Sequence, residues 1–136
     1  MSRESEEAHA ALSANDTFYN AFAAGDTAAM DACWSKTEDV LCTHPGWQPI
    51  HGREDVIESW HRILENGPPS IRWSDGRVSI IRGVAFVSCT EWLIDGTLAA
   101  TNVFVWEEGS WKLVHHHASP LSENAASETP PTDRLH

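Results

Sequence analysis

Trp111-Lys112-Leu113-Val114-His115-His116-His117 decides how this chain folds when it is read with the three turn signals upstream of it. Arg82-Gly83, Asp95-Gly96 and Glu108-Gly109 each separate two runs in which apolar and polar residues alternate. A period of two marks a half-buried strand. A two-residue polar–glycine step between such runs signals a hairpin, most strongly as Asp-Gly. From Ile71 to Ser119 the chain therefore reads as four antiparallel strands in a row.

The turns set the register. A two-residue turn at Asp95-Gly96 pairs Ile94 with Thr97, and so Glu91 with Ala100 and Cys89 with Asn102. A similar turn at Glu108-Gly109 pairs Trp106 with Trp111, Asn102 with His115 and Ala100 with His117. Because side chains alternate across a sheet, one face then carries Val87, Cys89, Glu91, Asn102, Phe104, Trp106, Trp111, Leu113, His115 and His117. Ser88, Thr90, Thr101, Val103, Val105, Val114 and His116 fall on the other, and a single bulge would exchange the two sets beyond it. Both faces are apolar enough to need a cover. Helices supply one, and the expected second is another copy of the chain in a two-fold homodimer.

Upstream the period is helical. Leu12, Asn15, Phe18, Tyr19 and Phe22 recur at three- and four-residue steps until Gly25 ends the helix. Asp26 or Thr27 can cap a second short helix through Trp34, since a side-chain oxygen there satisfies an orphan backbone donor. Asp39 to Thr43 reads as a short strand, and His44-Pro45-Gly46-Trp47-Gln48-Pro49 as a loop whose prolines lack a donor. A third helix from about Arg53 to Glu65 presents Val56, Ile57, Trp60, Ile63 and Leu64 on one side before Gly67-Pro68-Pro69. Helices first and a meander last make an α+β fold, with helices on one face of a curved sheet.

The chain of 136 residues is one domain, 1–119, followed by 120–136, a segment rich in Ser, Pro, Thr and Glu that is expected to be a disordered tail. Twenty acidic residues against nine basic ones give a net charge of -11, which repels phosphate backbones and anionic lipid. No nucleic-acid or membrane partner is expected. The N-terminus lacks the basic and then apolar blocks of a signal peptide, so the expected location is the cytoplasm. Cys33, Cys42 and Cys89 are isolated and odd in number, which argues for buried hydrophobes rather than disulfides or a zinc knuckle.

The segments Phe18-Tyr19, Gly25-Asp26, Cys42-Thr43-His44-Pro45, Gly52-Arg53, Trp60 and Trp111-x-x-Val114-His115-x-His117-x-Ser119 together resemble the nuclear transport factor 2-like (NTF2-like) superfamily. Within it the chain is most similar to the SnoaL-like and ketosteroid-isomerase-like group. Its last strand also resembles the association domain of calcium/calmodulin-dependent kinase II. The resemblance implies a cone of bent sheet wrapped around helices, an apolar pocket at the open end, and a homodimer. It implies no single activity, because a fold does not decide a function. In ketosteroid-isomerase-like members a carboxylate base works with a tyrosine and a protonated acid, for which Tyr19 and Glu91 are the counterparts here. Where that base is expected after the first strand, this chain has His44 instead of an aspartate.

The candidate catalytic residues are His44, Glu91, His115 and His117, because imidazole titrates near neutrality and a carboxylate beside it can fix its tautomer. Tyr19, Trp47, Trp60, Asn102 and Trp111 are the candidate substrate-binding residues, since seven tryptophans exceed what so small a core requires. The His44 to Trp47 loop is expected to form the pocket mouth. His115 and His117 with His44 or Glu91 could also ligate a divalent metal, but His-x-His is a weak signal and no metal or cofactor is assigned. The reading is a pocket protein for a small apolar or aromatic molecule, an isomerase, cyclase or dehydratase using His/Glu acid–base chemistry. A non-catalytic ligand-binding or oligomeric assembly domain is the alternative.

Overall fold

A leading helix caps itself at both ends. In the computed structural model, which describes residues 2–67 and 69–122, α1 spans Arg3–Ala24. The Ser2 side chain accepts from Ser5 N at its start, and Gly25 closes it at φ 67°, a left-handed conformation that glycine adopts without a Cβ penalty. Asp26 then caps α2 (Thr27–Cys33) by accepting from Ala29 N, as the sequence leads one to expect. The strand β1 (Leu41–Thr43) is followed by β2 (Ile50–His51), which the loop-like composition of 44–49 does not announce. Arg53–Glu65 is α3.

The meander follows as β3 (Arg72–Ile81), β4 (Val84–Leu93), β5 (Gly96–Glu107) and β6 (Ser110–Pro120). Six strands form one curled, unclosed sheet in the order β2-β1-β6-β5-β4-β3, and β1 runs parallel to β6. Helix α1 lies against β3, β4 and β6, α3 lies against β1 and β2, and α2 packs on α1 and α3. Among the described residues no helix is long and apolar enough to cross a membrane. The expected tail lies outside the described residues beyond Ser122.

Two turns have φ positive at both central residues, Arg82-Gly83 and Glu108-Gly109, the twist that matches right-handed strands. The third turn is Ile94-Asp95, not Asp95-Gly96, so Leu93 pairs with Gly96 and Cys89 with Ala100. This slip moves every pair by two positions and leaves each side chain on its expected face. A slip of one does the opposite, and β6 contains one. Phe104 pairs with Leu113 but Val103 pairs with His115, so the ladder accommodates one extra residue in β6. Up to Leu113 the expected faces hold; beyond it they are exchanged. His116 and Ala118 are buried against the helices, and His115 and His117 face outward, the reverse of the sequence expectation.

A second bulge lies in β3 between Ser74 and Arg77. There a Cβ on Gly76 would sit 2.8 Å from the Trp73 ring and 2.9 Å from Leu12 of α1, so only glycine lets the helix cross this close.

Candidate functional site

Small side chains at the centre of the sheet leave room for large polar ones. Cys89 pairs with Ala100, and Ala100 with Ala118, forming a row of short residues on the inner face. From one side of this row rises Glu91, from the other Asn102 and His116, and all three are at most 2% exposed. Helix α1 lays Asn15 and Tyr19 over them, four residues apart and so on one helical face. The contacts are short: Tyr19 Oη donates to Glu91 Oε2 at 2.5 Å, and Asn102 Nδ2 donates to Asn15 Oδ1 at 2.8 Å and to Tyr19 Oη at 3.1 Å. His116 Nδ1 lies 2.5 Å from Asn102 Oδ1, and its Nε2 lies 3.9 Å from Glu91 Oε2.

Burial sets the protonation of this cluster. It pushes the Glu91 carboxyl up to about 7 from 4.5, against the Tyr19 hydrogen bond, which favours the ionised form. The Tyr19 phenol is raised well above its ordinary value by burial and then by the charge of Glu91. His116 would form an ion pair with Glu91 if it were charged, but burial, followed by His44, His115 and His117, holds its pKa well below 6.5. Burial thus favours its neutral form. Aromatic rings enclose it: Phe18 at 5.1 Å and Trp60 at 5.6 Å between ring centres.

His44 reaches the same region from the loop after β1. Its ring is 4.7 Å from Trp60 and 6.5 Å from His116, and burial lowers its pKa to about 4. Ser59, rather than Glu91, bonds it: Ser59 Oγ donates to Val56 O at 2.6 Å and so accepts from His44 Nε2 at 2.9 Å. On the surface side of Ser59 a groove of about 340 Å³ runs between the loop, at Trp47 and Pro49, and α3, at Asp55 and Arg62.

The structure thus brings Tyr19, Trp60, Glu91 and Asn102 together, with His44 at the edge. Trp47 is 42% exposed beside the His44 ring. It does not bring in Trp111, which packs edge-on to Trp106 roughly 15 Å further along β6. Nor does it bring in His115 and His117, whose rings lie 6.2 Å apart on the outer face. The three-ligand metal set built on them is therefore not assembled, since His44 and Glu91 are on the other side of the sheet. Sequence reasoning missed Ser59 and His116. It registered Asn15 only as a member of the α1 stripe, where an amide among Leu12, Phe18 and Phe22 was the available signal.

A curled sheet holding helices in its hollow, with a buried acid–base cluster on the inner face, defines the cone-shaped NTF2-like α+β fold. The chain belongs to the SnoaL-like family, whose SnoaL-like domain profile matches residues 11–123. It is similar to a solved structure from Streptomyces avermitilis described as a candidate dehydratase of the NTF2-like family. The two are 31% identical with a TM-score of 0.80, over 88% of this chain and 99% of that one. A candidate calcium/calmodulin-dependent protein kinase type II association domain from Thiobacillus denitrificans is 30% identical with a TM-score of 0.69, over 80% of this chain and 93% of that one. The F-box protein SKIP8 of Arabidopsis thaliana is 29% identical over 122 residues, 82% of this chain and 50% of that protein. The chain thus spans about half the length of this curated relative.

Proposed function

We propose that the protein is a small-molecule enzyme that moves protons on a mostly apolar cyclic substrate, in a dehydration or an isomerisation. The observation that carries this reading is the meeting of a tyrosine hydroxyl, a carboxyl with its pKa at about 7 and a neutral imidazole inside an aromatic shell. A carboxyl that titrates near working pH is matched to both halves of acid–base catalysis. Glu91 and His116 are the acid and base, and the Tyr19 hydroxyl is the donor to a developing oxyanion. Phe22, half-buried and packed against Tyr19 and Trp60, is the side chain a substrate would displace to reach them. The likeness to a candidate dehydratase supports the same class.

The test uses a panel of cyclic hydroxyketones and unsaturated ketones in deuterated water. Dehydration shows as loss of water by mass spectrometry, and isomerisation as deuterium uptake without other mass change. Turnover by the wild type that falls at least 100-fold in both Glu91→Gln and His116→Gln, each still folded, is the expected result. Equal turnover in Glu91→Gln would sink the assignment.

An assembly role is the second reading, favoured by the likeness to an association domain. The outer face supports self-association, with Phe86 39% and Ile81 57% exposed near Val84, Val103 and Val105. A homodimer by light scattering that Phe86→Glu converts to monomer is expected.

A further inference from the structure

The amides of Asn15 and Asn102 are fully buried, and the way they are paired dictates where the protons of the cluster lie. Asn15 Nδ2 points to Cys89 Sγ at 3.8 Å, which leaves Oδ1 to accept from Asn102. Asn102 gives its second amide proton to the Tyr19 oxygen, and Tyr19 passes its own to Glu91. Both donors of Asn102 are then spent. It can offer His116 Nδ1 only an acceptor, so Nδ1 carries the imidazole proton. A neutral imidazole has one N–H, and Nε2 is therefore a lone pair turned toward the Glu91 carboxyl 3.9 Å away. The row of Cys89, Ala100 and Ala118 beneath them is short enough for the two side chains to approach above it.

We infer that Asn102, oriented by Asn15, is a positioning residue that fixes the His116 proton on Nδ1, so that Nε2 presents a lone pair beside the Glu91 carboxyl. The inference rests on the acid–base reading above and deepens it, because it says which atom takes a proton and which gives one. An ionised Glu91 facing the Nε2 lone pair is repelled by it; a proton on either partner relieves that repulsion. With its proton held on Nδ1, His116 Nε2 is the atom that would take a proton, and the protonated Glu91 carboxyl the group that would give one.

The opposite polarity would satisfy the same contacts, with Glu91 donating to Tyr19, Tyr19 to the Asn102 oxygen, and the amide nitrogen to His116 Nδ1. It would place a nitrogen against a nitrogen at a contact of 2.5 Å, which is short even for an N–H···O bond and fits an oxygen better than a second nitrogen, and would move the imidazole proton to Nε2. The other ionisable groups facing the pair are Tyr19 from α1, Cys89 from β4, Cys42 from β1 and His44 from the loop after it. His115 and His117 act on His116 from its own strand, and Asp75 of β3 acts on Cys89.

The experiment is NMR of the full chain labelled with 15N and 13C, without substrate, with His116 assigned by its loss in His116→Gln. In the wild type the His116 ring should show the Nδ1–H tautomer across the Glu91 titration, its shifts responding to that titration without the ring itself gaining a second proton. In Asn102→Leu the proton should move to Nε2 and point at the carboxylate, lowering the Glu91 midpoint by about one pH unit or more. Asn15→Leu, which leaves Asn102 in place, should change the tautomer in the same direction and serves if Asn102→Leu does not fold. An Nε2–H tautomer in the wild type, or an unchanged tautomer in the folded variants, overturns the inference. Absence of turnover alongside the Nδ1–H tautomer would refute the proposed activity and leave this arrangement standing.

Discussion

Phe104, Trp111 and Leu113 share an apolar core with Met30 and Trp34, whereas a few residues away on the same face Asn102, His116 and Glu91 meet Asn15 and Tyr19. The first region holds the sheet to the helices by removing apolar surface from water, a contribution indifferent to pH. The second buries an ionisable carboxyl and imidazoles, which cost stability whenever they are charged. A fold gains nothing from placing such groups in its core unless something else uses them. Apolar packing thus runs along the whole inner face, and the buried ionisable groups are gathered in one part of it.

The largest effect that separates the two regions is expected from Phe104→Ala, a loss of about 3–5 kcal/mol in urea unfolding. The loss should be equal at pH 5 and pH 8, and a difference above ~1 kcal/mol between them would mean that the regions are coupled.

The polar end should behave in the opposite way. Glu91 has a folded pKa of about 7 against 4.5 ordinarily, so its contribution is full below pH 4.5 and is lost as pH rises through 7. That loss amounts to about 3 kcal/mol. His44, lowered from 6.5 to about 4, contributes stability that is present above pH 6.5 and is lost as pH falls through 4, and His116 acts in the same sense. Between pH 4.5 and 6.5 the two kinds of group oppose each other. Glu91→Gln should unmask a stability that climbs with pH across this window, and His44→Gln should leave one that falls more steeply than the wild type. Parallel pH profiles for all three proteins would contradict the assignment of charge to this end.

A smaller effect sharpens the contrast within the cluster. Tyr19→Phe removes one hydroxyl that both donates and accepts, and should cost about 1–3 kcal/mol. Since the Tyr19 hydrogen bond lowers the Glu91 pKa, its loss should move the Glu91 titration above 7. A midpoint that stays put would show that the 2.5 Å contact does not govern the carboxyl.

Periodicity carried most of the fold. The helices at Leu12–Phe22 and Arg53–Glu65 and the four long strands were readable because their apolar spacing is regular. The parallel pairing of β1 with β6 was not, since three residues are too short to show a period. Part of the candidate cluster was legible as well, since Tyr19, Glu91 and Asn102 meet in it. The extra residue of β6 left no mark in the sequence, because Val114-His115-His116-His117 alternates no better in one register than in the other. That one residue exchanged His116 for its two neighbours. Ser59 was hidden for another reason: its hydroxyl is tied to the α3 backbone, and it fills an ordinary helix position between Val56 and Trp60.

The place of β6 in the sheet also governs the order in which the molecule can assemble. Leu41 waits for His115, 74 positions later, and Asn15 waits 87 positions for Asn102. Pairings of such long range carry a loop-closure cost before any contact repays it, which makes for slow folding. While the chain emerges from a ribosome, Phe18, Tyr19 and Phe22 are made long before the strands that cover them, and an intermediate lacking β6 exposes that aromatic surface to other chains. The histidine on which the proposed chemistry depends arrives with the strand that also ends this exposure.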